Sequence, residues 1–195
     1  GQGEVDHRGC LGVVEGPQQG ADDVGDRLVE RAGLVLRAVG ENDHSAHSIG
    51  YDVIAVRYAS RQTTRSQVFL NHHLYGEPDG PIGMDYYLWV IRNHRRTIVV
   101  DTGYSVAGGR HRGRGHLIHP RDALDALEVD RDAATVVLTH AHYDHAGNLD
   151  LFPHSTVLTP RSEFDFWTSE LAGRLQFAHS VEDDEIDHLR TVADQ

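Results

Sequence analysis

His140, His142, Asp144 and His145 fall within six residues, directly after the apolar run Thr135-Val136-Val137-Leu138-Thr139 and just ahead of Gly147. Imidazole and carboxylate together suit a borderline divalent cation such as zinc. Residues two apart on an extended backbone point the same way, so His140 and His142 are expected to share one cation. Asp144 and His145 lie beyond the bend and are expected to face a second, with a water between the two. Two ions sharing a water lower its pKa towards neutrality and create a hydroxide nucleophile. Few protein ligands on each ion leave positions open, as catalysis requires. With 15 His and 20 Asp in 195 residues, a chance match to His-x-His-x-Asp-His arises in roughly one per cent of such chains. The pattern is therefore read as a metal site rather than a solvated histidine-rich loop.

Such a loop needs rigid elements to carry it. Strands are predicted at residues 52–58, 86–91, 97–100 and 156–158, each apolar or β-branched and bounded by polar or turn residues. Residues 86–100 read as an antiparallel hairpin turned at Asn93-His94-Arg95, with so little alternation that both faces are expected to be covered. Its second strand ends in Asp101-Thr102-Gly103. An acid there can aim its carboxylate at a neighbouring loop, or can stop the strand with an Asx turn. Residues 76–81 are dense in turn formers. Residues 108–115 set Arg110, Arg112 and Arg114 among glycines, which fits either an anion grip or a mobile surface loop. Pro120 opens a helix with Ala123, Leu124 and Leu127 on its apolar face. Thr159 is expected to cap a second helix that begins at Pro160 and buries Phe164, Trp167 and Leu171. Ile186 and Leu189 anchor an acidic, helix-tolerant stretch over 181–195.

Composition narrows the function. Net charge is −12 with no dominant block, which argues against a nucleic-acid partner. All 18 basic residues are arginine, for which there is no physical account. Cys10 is the single cysteine, so an intrachain disulfide and a thiolate zinc site are excluded. No apolar run reaches the roughly 18–20 residues of a membrane span, and no basic-then-apolar leader is visible; a cytoplasmic enzyme acting on a small molecule is the default. Residues 1–50 hold 10 of the 20 glycines and none of the 14 aromatics. They are read as an extension of low order or extraneous origin, with one weak helical stripe at Leu28, Val29, Ala32, Leu36 and Val39. Residues 51–195 are read as the folded part.

Residues 140–147 resemble the signature of the metallo-β-lactamase superfamily of metallohydrolases. Within it, residues 75–80, 84–90, 97–103 and 140–149, then Phe152-Pro153, are most similar to the N-acyl homoserine lactonase branch. The resemblance covers about residues 51–174. It implies an α+β fold, the αββα sandwich, with helices on both outer faces of two packed sheets. It implies that His140 and His142 bind the first of two zinc ions and Asp144 and His145 the second, with Asp144 also catalytic. Asp101 would be the strand-end acid that buttresses the metal loop.

The family's third histidine sits in a glycine-histidine-threonine-like turn, followed by a bridging aspartate and a last histidine; none of these motifs occurs here. His179 and His188 lack the glycine neighbour and are expected at the surface. The chain is thus expected to be the N-terminal half of the sandwich, short of metal ligands. The resemblance implies a zinc-dependent hydrolase that opens a lactone of the acyl homoserine lactone kind. Thioester or β-lactam hydrolysis, an iron-binding oxidoreductase of the same superfamily, and an inactive metal-binding fragment stand as alternatives.

Overall fold

Among the described residues, six strands build one mixed sheet in chain order: β1 (Val35–Val39), β2 (Asp52–Thr64), β3 (Pro81–Arg92), β4 (Thr97–Val100), β5 (Thr135–Val137) and β6 (Thr156–Leu158). The computed structural model describes residues 35–39 and 50–193. The first four strands run antiparallel to their neighbours, and β4, β5 and β6 run parallel. Parallel neighbours need crossovers. One is supplied by helices α2 (Val106–His111) and α3 (Pro120–Ala126), the other by the single turn α4 (Tyr143–Ala146). Shorter helices α1 (Arg65–Val68), α5 (Arg161–Trp167) and α6 (Leu175–Ala178) precede the closing helix α7 (Asp183–Ala193).

Val-Leu-Arg-Ala-Val, expected on a helical stripe, is instead strand β1. β-branched residues at its ends suit an edge, and pairing with residues 52–56 outweighs a weak periodicity bounded by Gly33 and Gly40. The low-order extension expected over residues 1–50 otherwise lies outside the described residues.

The core occupies one face of the sheet. Ile54, Val56, Leu88, Val90, Val99 and Val136 pack there with Ala123 and Leu124 of α3 and Ile186 and Leu189 of α7. Pro120 begins α3 as expected, with the His119 side chain accepting from the Arg121 amide at the cap. The opposite face carries the register row Ala55, Trp89, Val100, Val137, Leu158. Trp89 is 42% and Leu158 52% exposed there. The expectation that both hairpin faces are covered is therefore corrected for the described residues. Side chains along β3 alternate in burial, because its pleat sends successive residues to opposite sides and helices cover only one.

Helix α5 also departs from its expected shape. It is capped by Pro160 rather than Thr159, and it ends at Trp167, which leaves Leu171 at 47% exposure. Among the described residues no helix is long and apolar enough to cross a membrane.

One irregularity bears directly on the metal loop. The β2–β3 register shifts between Arg57 and Ala59, so Tyr58 is an extra residue on β2. The bulge turns both Tyr58 and Ala59 into the core. There the Tyr58 hydroxyl lies beneath the loop that follows β5.

Candidate metal centre

Strand β5 ends at Val137, so the first two histidines sit on a short loop and not on the strand itself. His142 is the residue preceding α4, and Asp144 and His145 lie on that one-turn helix. The ring centroids of His140 and His145 are 3.8 Å apart, and those of His140 and His142 are 4.6 Å apart. Asp144 brings a carboxylate oxygen to 3.9 Å from His145 Nε2. All four predicted residues therefore meet in one place. Between ring centroids, His140 lies nearer to His145 than to His142.

Asp101 organises this cluster from the end of β4. Its backbone is left-handed at φ +60, a conformation that aspartate tolerates better than most residues. One carboxylate oxygen accepts the Thr139 amide at 2.8 Å, both accept the Thr139 hydroxyl at 2.9 Å, and one accepts His145 Nδ1 at 2.8 Å. The carboxylate thus holds the proton on His145 Nδ1 and leaves the Nε2 lone pair facing the other ligands. The single hydroxyl proton of Thr139 goes to Asp101, so at 3.1 Å the hydroxyl accepts from His140 Nδ1. His140 too presents Nε2. Of the two roles open for Asp101 in the sequence, the structure shows the aimed carboxylate.

Protonation favours ligation at His140 and His142. Burial, followed by repulsion from His145, depresses the His140 pKa, and burial depresses that of His142. Neutral imidazoles at neutral pH keep their lone pairs. Burial also opposes protonation of His145, but the hydrogen bond and charge of Asp101 outweigh it and its pKa is raised. This donor set fits a divalent ion of the zinc class: nitrogen-rich, with one carboxylate and no thiolate. Among the described residues no three such side chains stand in a geometry that would hold a metal ion as they are.

Several supporting contacts escaped the sequence reading, although Gly147 itself was part of the motif. Gly147 lets two backbones meet. A Cβ there would lie 2.4 Å from the Ser105 nitrogen and 2.7 Å from the Gly103 carbonyl oxygen, which accepts the Gly147 amide at 2.9 Å. Buried Asn148 donates to the carbonyls of Thr102 and Tyr104, and Thr102 donates from both amide and hydroxyl to the His145 carbonyl. The Tyr58 hydroxyl donates to the Asp144 carbonyl at 2.9 Å. Burial, reinforced by the Asp144 charge, raises the Tyr58 pKa and keeps that proton in place. Glu163 accepts from Trp167 Nε1 and from the Ala141 amide, which ties α5 to the loop. Only the i,i+4 spacing of Glu163 and Trp167 was visible as a signal. His179 and His188 are exposed, as expected.

The arginine-rich segment is not a free surface loop. Its first part is helix α2, and Arg112 and Arg114 lie over the Tyr143 ring. Behind the metal loop, a cleft of about 440 Å³ is lined by Ser105, His119, Gly147, Asp150, Glu185 and His188, with none of the four candidate ligands on its wall.

Residues 84–163 match the model of the metallo-beta-lactamase superfamily. The metallo-beta-lactamase match spans β3 to the start of α5, and so includes Asp101 and the whole histidine loop. The chain is 33% identical over 87 residues to a hydroxyacylglutathione hydrolase of Aeromonas salmonicida, covering 43% of this chain and 29% of that one. Solved structures show the same fold at low identity. A quorum-quenching N-acyl homoserine lactone lactonase superposes with TM-score 0.54 at 15% identity, over 69% of this chain and 52% of that one. A dizinc quorum-quenching lactonase with a bound product gives 0.56 at 14%, over 83% and 60%. A probable metal-dependent hydrolase from Staphylococcus aureus gives 0.56 at 14%, over 73% and 57%. The chain thus spans under a third of the curated relative and 52–60% of these solved chains. The expected mixed α+β metallo-beta-lactamase fold is borne out, with one sheet of the sandwich among the described residues.

Proposed function

We propose that this chain supplies ligands to the zinc centre of a hydrolase, and that the reaction is hydrolysis of a lactone of the acyl homoserine lactone kind. The observation that carries the reading is the gathering of His140, His142, His145 and Asp144 around lone pairs that Asp101 and Thr139 aim. His140, His142, Asp144 and His145 are the groups that would hold metal. Bound there, zinc supplies Lewis acidity and a water acidified towards neutral pH. The protein residues do the rest. Asp101 keeps the His145 proton on Nδ1 throughout, and the buried Tyr58 hydroxyl fixes the Asp144 backbone. Asp144 would be the carboxylate that takes a proton from water or returns one to the leaving oxygen. Overall, water adds to the ring carbonyl, the acyl C–O bond breaks, and a hydroxy acid leaves.

Two observations bear on the substrate. The lactonases among the fold neighbours support the lactone. The sequence relative named a hydroxyacylglutathione hydrolase supports a second reading, a thioester of that type.

The test measures bound metal together with hydrolysis of an acyl homoserine lactone and of an acylglutathione. Zinc with faster lactone turnover is expected. Faster acylglutathione turnover selects the second reading, and bound iron with redox activity would sink both. His142→Ala is expected to lose metal and activity together, and unchanged zinc content would count against its ligand role.

A further inference from the structure

We infer that Arg112 is a positioning residue for the metal loop, holding Tyr143 so that His142 and Asp144 keep their places. The inference rests on the metal reading above and adds a group outside the ligand set. Tyr143 is the residue between two candidate ligands, and it is almost wholly buried. The Arg112 guanidinium carbon lies 3.8 Å from the centroid of its ring. The same guanidinium pairs with Glu182 and donates to the carbonyls of Gly108, His179 and Val181. The chain between those last two carbonyls closes the loop from its other side, because the Ser180 carbonyl accepts the Tyr143 amide at 2.8 Å.

One side chain therefore ties three pieces of backbone to one ring: the end of α2, the strap before α7, and the turn that carries Asp144 and His145. The flat fork of arginine suits this work. It stacks on an aromatic face while its edge donates in several directions, which lysine does not reproduce. With only 16% of its side chain exposed, Arg112 is not a solvated surface charge. The Tyr143 hydroxyl is buried without a hydrogen-bond partner, so the ring and not the phenol carries the contact.

The test uses the 195-residue protein and cobalt(II) alone, read by the visible d–d bands that imidazole ligation produces, with thermal melts to show folding. Arg112→Met and Tyr143→Leu are each expected to weaken cobalt affinity about tenfold and to alter the bands, as losses of ligand-orienting groups do. The double variant is expected to lose less than the sum of the two single ones, because both remove the contact between Arg112 and the Tyr143 ring. Arg112→Lys keeps the charge beside Glu182 and is expected to fall between Met and wild type, while Tyr143→Phe is expected to match wild type. A folded Arg112→Met with unchanged affinity and bands overturns the inference, as do fully additive losses in the double variant. Should Arg112→Met not fold, Arg112→Lys decides: affinity equal to wild type overturns the inference. Wild-type protein without cobalt bands overturns the metal reading itself, an outcome distinct from all of these.

Discussion

Replacing Asp101 by asparagine changes one atom and should disable the centre. Three donors converge on the carboxylate: the Thr139 amide, the Thr139 hydroxyl and His145 Nδ1. Asparagine offers one carbonyl oxygen and one amide group. With the oxygen turned to the Thr139 amide, the new NH₂ faces His145 Nδ1, which must then become the acceptor. The proton moves to Nε2 and the lone pair leaves the metal side. With the amide turned the other way, two N–H groups oppose each other at Thr139. Either arrangement loses a charged hydrogen bond, about 1.5–3 kcal/mol. On the metal side the expected loss is about 10–100-fold in zinc affinity. Asparagine accepts φ +60 as readily as aspartate, so no backbone strain confuses the result. Alanine would add strain and leave the donors bare. The pH dependence has a definite sign. The His145 pKa is raised in the folded chain, so the pair's contribution is complete below the ordinary value of 6.5 and is lost as pH rises through the folded one. In metal-free protein the deficit of Asp101→Asn should therefore be largest in acid and shrink above neutrality. Zinc titration against a chromophoric chelator measures affinity, and nitrogen NMR of His145 reads the tautomer. Unchanged affinity with the proton still on Nδ1 would refute the reasoning.

Two further substitutions probe the framework behind the loop. Burial raises Glu185 to about 7 from 4.5, with the Glu182 charge adding to the effect. The folded state then keeps a proton that the unfolded state has lost between those values, so stability falls as pH rises through that window. Glu185→Gln is expected to be more stable than wild type at pH 8, by up to about 3 kcal/mol, and equal to it near pH 4.5; urea melts at both pH values decide this, and a less stable variant at pH 8 would contradict it. Gly147→Ala would push its Cβ into the backbone of Ser105 and Gly103. It is expected to cost about 1–3 kcal/mol or more and to lower zinc content with it, so a melt identical to wild type would show that the two segments can part freely.

Much of the centre was legible because the information was local. Four candidate ligands of two types within six residues, behind an apolar strand and ahead of a glycine, bound chemistry and position together, and they stand together in the fold. Asp101 could be suspected from its place at a strand end but not assigned, because an Asx turn and a buttress look alike until β4 and β5 are known to be parallel neighbours. Local patterns also misled where pairing decided. The stripe containing Leu36 and Val39 gave way to edge pairing with β2. The hairpin's apolar run suggested two covered faces, yet Trp89 shows that helices cover one of them. The arginines among glycines read more readily as a mobile loop than as an anion grip, because nothing nearby in sequence names Tyr143, Glu182 or the strap carbonyls as their partners. The chemistry of the site was thus written in adjacent residues, whose spacing alone limits what they can bind. The orientation of that chemistry came from tertiary structure: Asp101 lies 44 residues from His145 and Arg112 lies 70 from Glu182, separations that only the folded sheet and its helices close.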